Sequence, residues 1–281
     1  MKAKENLFKY IFLLCSMFCI LSLILICVFL FASGLPAMQK IGFADFLLGM
    51  KWKPANNMYG IFPMIVGSLY VTAGAIVLGL PFGLVTAVFL SRFCPGHLHR
   101  ILKPAINLFA GIPSVVYGFF ALVIIVPFVR DLFGGNGSSI LSASLLLSMM
   151  ILPTIVSVSE SSLNAVPENY YEGARALGAS HERCVFSIVV PAAKSGIMAG
   201  VVLGIGRAIG ETMAVIMVAG NQVRLPDSIL KGVRTLTANI VIEMGYAADL
   251  HREALIATGV VLFAFILLIN VSFNLVNMRR R

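Results

Sequence analysis

The sequence predicts an all-α polytopic membrane protein with about six transmembrane helices. Three observations carry that prediction. Hydrophobic residues make up 59% of the chain and charged residues only 12%, where a soluble domain carries about 25% charged. Mean hydropathy is +0.96. The apolar residues also gather into six runs, and a bilayer core about 30 Å thick needs roughly 20 such residues as a helix.

The first run, Phe12 to Phe31, follows Lys2, Lys4 and Lys9 and precedes Ala32-Ser33-Gly34, which are the flanks of a secretory signal. Its length exceeds the roughly 7–15 residues of a signal core, so an uncleaved first helix is expected. Trp52-Lys53-Pro54 and Tyr59-Gly60 supply interfacial aromatics before the second run, Ile61 to Leu90. Runs three to six are Ile106 to Val129, Ile140 to Val158, Gly196 to Ala219 and Ala254 to Val276. Pro63, Pro81, Pro113, Pro127 and Pro153 fall within or at the ends of these runs. Each removes a backbone donor and bends its helix, which a membrane tolerates beside a helix neighbour or a water-lined cavity. Bent helices of this kind suit a transporter or channel.

Orientation follows from the basic residues. With the N terminus inside, Lys2, Lys4, Lys9, Arg92, Arg100, Lys103, Arg175, Arg183, Lys194 and Arg279 to Arg281 lie on the cytosolic side and outnumber those outside. Cytosolic loops hold the excess of Lys and Arg, so both termini are expected in the cytosol and the protein in the cytoplasmic membrane. The net charge of +9 is spread in short clusters between runs, with no single basic face for nucleic acid. Cys15, Cys19 and Cys27 sit in the first run and Cys94 and Cys184 in cytosolic stretches, where they read as packing thiols.

Chemistry-bearing patterns are few. Cys94, His97 and His99 lack metal-site spacing, no nucleophile–base arrangement can be assembled, and no Gly-x-x-x-x-Gly-Lys-Ser/Thr loop occurs. The chain is therefore expected to be no enzyme, and any ATP must be bound by another chain. Arg207 and Glu211 stand four apart in the fifth run, a spacing that places both on one helix face, as an ion pair locking helices or as part of a permeation pathway. There a guanidinium could replace the hydration of an oxyanion while Glu211 tempers its grip. Gly200-x-x-x-Gly204 and Gly206-x-x-x-Gly210 predict close helix approach.

Between runs four and five, Pro167 suits a helix first turn, Glu168 and Glu172 suit its positive end, and Gly178 suits a left-handed cap. Ser180 then caps a second helix reaching about Ile188, before Pro191. Tyr170, Ala174 and Leu177 are expected on one face, as a plain connector or a partner-docking surface. In the outer loop, Ile229, Val233, Leu236, Ile240 and Met244 predict an amphipathic helix, resting on lipid or acting as a lid.

Glu172-Gly173-Ala174, Gly178 and Ile188-Val189-Val190-Pro191 resemble the EAA loop through which ABC importer permeases contact their ATPase. Gly173 stands where Ala is usual and Val190 where Leu is usual. Arg207-Ala208-Ile209-Gly210-Glu211-Thr212 resembles the signature of phosphate importer permeases. Its continuation, Met213-Ala214-Val215 through Ala219-Gly220-Asn221, is more similar to the PstC family than to the PstA family. Trp52-Lys53-Pro54, Tyr59-Gly60-Ile61, Gly67-Ser68-Leu69 and the stretch from Gly111 to Gly118 are similar to the same family.

The resemblance implies a type I importer permease fold in a single transmembrane domain, with a core at 61–276, a cytosolic coupling loop at 159–191 and an external loop at 220–253. It implies a PstA-like second permease, a PstB-like ATPase dimer holding ATP and Mg, a PstS-like phosphate-binding protein, and inorganic phosphate as substrate. No cofactor is expected on this chain. Arg207, Glu211 and Thr212 become pathway residues, and Tyr170, Glu172, Gly173, Ala174, Leu177, Gly178 and Pro191 the coupling surface. The competing readings are a permease for sulfate, molybdate or phosphonate, and an ATP-independent secondary transporter.

Overall fold

The first apolar run lies inside a longer helix, α1 (Lys2–Ile41), which continues through Pro36. The computed structural model describes residues 2–278, so the Arg279 to Arg281 cluster used for orientation lies outside the described residues. After α2 (Phe43–Leu48), an antiparallel hairpin pairs β1 (Trp52–Lys53) with β2 (Met58–Tyr59), Trp52 opposite Tyr59. Helix α3 (Phe62–Val88) runs on into a π-helical turn, Phe89–Phe93. Then come α4 (Gly96–Gly111), α5 (Ser114–Phe120), a π turn at Ala121–Ile125, and α6 (Val126–Phe133). The long α7 (Ile140–Asn164) leads to α8 (Glu168–Ala176), α9 (His181–Cys184), a third π turn at Val185–Val189 and α10 (Val190–Ala192). Helices α11 (Lys194–Gly210), α12 (Met213–Val218), α13 (Leu236–Met244) and α14 (Asp249–Met278) complete the described chain.

Among the described residues, five helical stretches are long and apolar enough to cross a membrane. A sixth arises when His181–Ala192 and Lys194–Gly210, bent by 67°, count as one. Three expectations about these elements are corrected. The third run does not begin a span at Ile106: Pro113 holds Ile112 extended (ψ 128°), so α4 ends and the span is Ser114–Phe133. The fifth run is two helices, broken at Glu211 and Thr212. The outer amphipathic helix starts at Leu236, not Ile229, because residues 229–233 give their backbone groups away. Leu141 N–H donates to Ile229, Ile140 N–H to Lys231, and Val233 N–H donates to Ala219. Thr235 Oγ1 then accepts from Ala238 N–H and caps α13. That helix is packed into the protein, with Leu236, Ala238, Asn239 and Glu243 buried, instead of resting on a surface.

In a membrane, close packing replaces the hydrophobic drive that folds soluble cores, and small residues permit it. Gly74 of α3 meets Ser144 of α7, and further along Gly83 meets Ile155, so α3 and α7 run parallel. Gly196 of α11 meets Ser162 and Gly204 meets Ile155, so α11 runs antiparallel to α7. Helix α1 lies antiparallel to α14, with Gly34 against Val260 and Ala257. One end of the bundle therefore carries 168–192, and the other carries the hairpin, residues 220–235 and α13. The apolar residues of α1 from Phe8 to Phe29 are mostly exposed, a surface for lipid.

Candidate functional site

The break between α11 and α12 is where the two ionisable residues of the fifth run sit. Glu211 leaves the helix (ψ 131°), and its Oε1 accepts the backbone N–H groups of Thr212 and Ala214, each at 3.2 Å. The expected Arg207–Glu211 pair is absent: no ion pair joins them among the described residues. The reason is local. Helical spacing brings residues four apart together only if the helix continues, and here the carboxylate turns to cap α12. Thr212 Oγ1 donates to the Gly210 carbonyl at 3.1 Å.

Arg207 is half-buried and makes no hydrogen bond to another described residue. Its surroundings divide the two glycine pairs. Gly200 and Gly204 pack against Val158 and Ile155 of α7, as expected, whereas Gly206 and Gly210 have open space where a side chain would be. With Leu203 and Met213 also exposed, the half-buried Arg207 borders a face of the broken helix that the described residues leave open. A charge at membrane depth costs about 2.5–3.5 kcal/mol, so such a face borders a cavity or another protein.

The outer loop is bonded directly to that break. Thr237 Oγ1 of α13 donates to the Glu211 carbonyl at 3.0 Å, and Leu236 N–H donates to Ser68 Oγ of α3 at 2.9 Å. Beneath α13 the buried Glu243 takes Arg234 Nη1 on Oε1 (2.6 Å), and Trp52 Nε1 (2.7 Å) and His251 Nε2 (2.8 Å) on Oε2. One carboxylate thus joins the hairpin, α13 and α14. Burial raises the Tyr59 phenol above its usual range.

At the opposite end, Pro167 is the residue before α8, Gly178 takes the left-handed conformation (φ 82°), and Ser180 Oγ accepts Arg183 N–H to cap α9. The second helix passes Ile188 and runs through Pro191 to Ala192. Tyr170 and Ala174 lie four apart on one side of α8, but their exposure differs: Ala174 is buried, while Tyr170 is 53% and Leu177 91% exposed. Leu177 follows the last residue of α8 and turns outward at the C-cap. Glu172, Gly173 and Pro191 are exposed as well.

Sequence reasoning missed a second buried carboxylate. Glu160 of α7 accepts Lys103 Nζ at 2.6 Å and lies 2.8 Å from His99 Nε2, fastening α4 across the bundle. The signal was a lone acid after an apolar run, passed over because that run was ended at Val158. Among the described residues no group of three His, Cys, Asp or Glu side chains converges on a metal position.

Broken apolar helices, a half-buried charge beside the break and a folded helix pair at one end fit a membrane transport permease. Residues 79–281 match the family described as binding-protein-dependent transport system inner membrane component. The probable ABC transporter permease protein YqgH of Bacillus subtilis is 38% identical over 91% of this chain and 86% of that protein. The phosphate transport system permease protein PstC of Mesorhizobium japonicum is 34% identical, covering 85% of this chain and 80% of its own length. PstC of Xylella fastidiosa (strain 9a5c) is 33% identical over 99% and 92%. Among solved structures, a bacterial alginate ABC transporter in complex with an alginate pentasaccharide-bound periplasmic protein aligns with a TM-score of 0.65 at 15% identity, over 96% of both chains. The inward-facing MetNI methionine ABC transporter aligns at 0.61 and 21% identity, over 80% of this chain and 97% of that one. The chain belongs to the binding-protein-dependent transport system inner membrane component family and has the type I ABC importer permease fold.

Proposed function

We propose that the chain is one of two permease subunits of an ATP-driven importer of inorganic phosphate, set in the cytoplasmic membrane with both termini in the cytosol. The observation that carries the reading is the half-buried Arg207, held by no ion pair among the described residues, beside a break in the fifth span, in a chain 34% identical to a relative named for phosphate transport. An oxyanion entering the pathway loses water, and the planar guanidinium offers fork-shaped donors in its place. Among the described residues no ion pair holds Arg207 that a substrate would have to displace. Because Glu211 is engaged by α12, release depends on the half-exposed setting of Arg207 and not on a paired acid. Thr212 stands beside the break as a second contact.

The open face of Gly206 and Gly210 suits a PstA-like second permease, so that the pathway lies between the subunits. A PstB-like ATPase dimer, carrying ATP and Mg, docks on Tyr170, Glu172, Gly173, Leu177, Gly178 and Pro191, with Ala174 as internal support. A PstS-like binding protein delivers phosphate at the end formed by 220–253. This chain binds no cofactor and hydrolyses nothing itself.

The test is uptake of labelled phosphate into proteoliposomes containing this chain with its partner permease, ATPase and binding protein. ATP-dependent uptake that Arg207→Gln lowers by about two orders of magnitude, with the ATPase still bound, is the expected result. Normal uptake in the variant removes Arg207 from the pathway. Uptake without ATPase replaces the importer by a secondary transporter, and competition by sulfate but not by phosphate reassigns the substrate.

A further inference from the structure

We propose that Arg92 is the joint through which movement of the 168–192 segment reaches the spans, a positioning role that rests on reading this segment as the ATPase-docking element. Arg92 lies in the π turn that ends the second span, where the last carbonyls of a helix have no donor of their own. His181, the first residue of α9, supplies one: Nε2–H donates to the Arg92 carbonyl at 3.1 Å. Since a carbonyl only accepts, the ring proton is on Nε2, and Nδ1 accepts the Tyr171 hydroxyl at 2.8 Å. Tyr171 belongs to α8. A single imidazole therefore ties both helices of the segment to the end of the second span, and Phe93 packs edge-on against it at 4.8 Å.

The Arg92 side chain brings in a further helix. Its Nη2 donates to the Leu163 carbonyl in the last turn of α7 at 2.9 Å, and Nη1 reaches Glu168 of α8 at 3.3 Å. The Arg92 side chain is 13% exposed and that of Glu168 60%, so the carbonyl bond matters more than the water-screened ion pair. A planar fork holds carbonyl and carboxylate together, which a single ammonium on a flexible stem does poorly. Helices α3 and α7 are parallel, and α11 packs against both. A displacement of α8 or α9 is thus passed to both helices at once, and through them to the helix that bears Arg207.

The complex reconstituted with partner permease, ATPase and binding protein separates this role from simple support of the fold, because hydrolysis and uptake are read independently. In Arg92→Gln and in His181→Phe, ATP hydrolysis continues while phosphate moved per ATP falls about tenfold. A ratio within about twofold of the native value overturns the proposal, and so does a parallel loss of hydrolysis and uptake that leaves the ratio unchanged. Where Arg92→Gln fails to assemble, His181→Phe decides alone, since it keeps a ring against Phe93. Docking is read separately, by cross-linking a Tyr170→Cys variant to the ATPase in the otherwise native complex. A missing cross-link sinks the docking reading, whereas a cross-link with native ratios sinks only the joint.

Discussion

A carboxylate turned to cap one helix no longer stands over the guanidinium a turn earlier in another. Glu211 accepts two amide N–H groups of α12, a bond pattern worth about 1 kcal/mol in helix caps. A double-mutant cycle of Arg207→Gln with Glu211→Gln, followed by thermal unfolding of the purified complex, should give a coupling below about 0.5 kcal/mol. Coupling above that would restore the direct pair. The positions of Arg207 and Glu211 in an apolar run were legible in the sequence, but their relation was not, because Gly210-Glu211-Thr212 contains no residue that forbids a helix. Thr237 was illegible for a different reason. Its bond to the Glu211 carbonyl joins residues far apart in sequence, and no local spacing reports such a contact.

At the scale of elements, prolines in the runs predict bends but not their kind. Pro95, Pro127 and Pro191 each follow a π turn by two residues, and in each case the residue before the proline donates to the carbonyl five back. These bonds run from Cys94 to Phe89, from Val126 to Ala121 and from Val190 to Val185. A proline ring crowds the carbonyl four residues earlier, and a widened turn moves that carbonyl aside. Pro81 and Pro153 lie in continuous α-helix, so proline alone does not write a π turn. The helix pair at 168–192 was legible from its caps, since Gly178 and Ser180 act through strictly local geometry. Ala174 is buried on a helix that packs against the third π turn, a contact no local signal reports. Leu177 remains the most exposed apolar side chain of that pair. Leu177→Asp should leave the stability of the chain within about 0.5 kcal/mol, while ATPase retained on affinity purification falls about tenfold. Unchanged retention would remove Leu177 from the docking surface.

Across the whole molecule, two glycine pairs on one helix have opposite duties. Gly200 and Gly204 are filled by α7, and Gly206 and Gly210 face outward. Gly200→Leu should drive a side chain into Val158 and Ser159 and lower the stability of this chain by about 1–3 kcal/mol. Gly206→Leu should leave that stability alone and instead reduce recovery of the second permease with this chain. Both are read from unfolding curves beside co-purification. Full recovery with Gly206→Leu would move the subunit contact elsewhere. Span number and approximate position were legible at this scale because a bilayer imposes one length on every crossing helix. Which faces stay open was not, since small residues mark close approach without naming the neighbour.

Gly34 and Leu30 of α1 meet Ala257, Val260 and Gly259 of α14, so a helix near one end of the described chain packs against a helix near the other. During synthesis the side of α1 that faces α14 waits in lipid until α14 is made. A chain cut short before α14 leaves that side unmated in the bilayer. Closure of the α1–α14 seam is therefore a late step of assembly, taken after the intervening helices have been made.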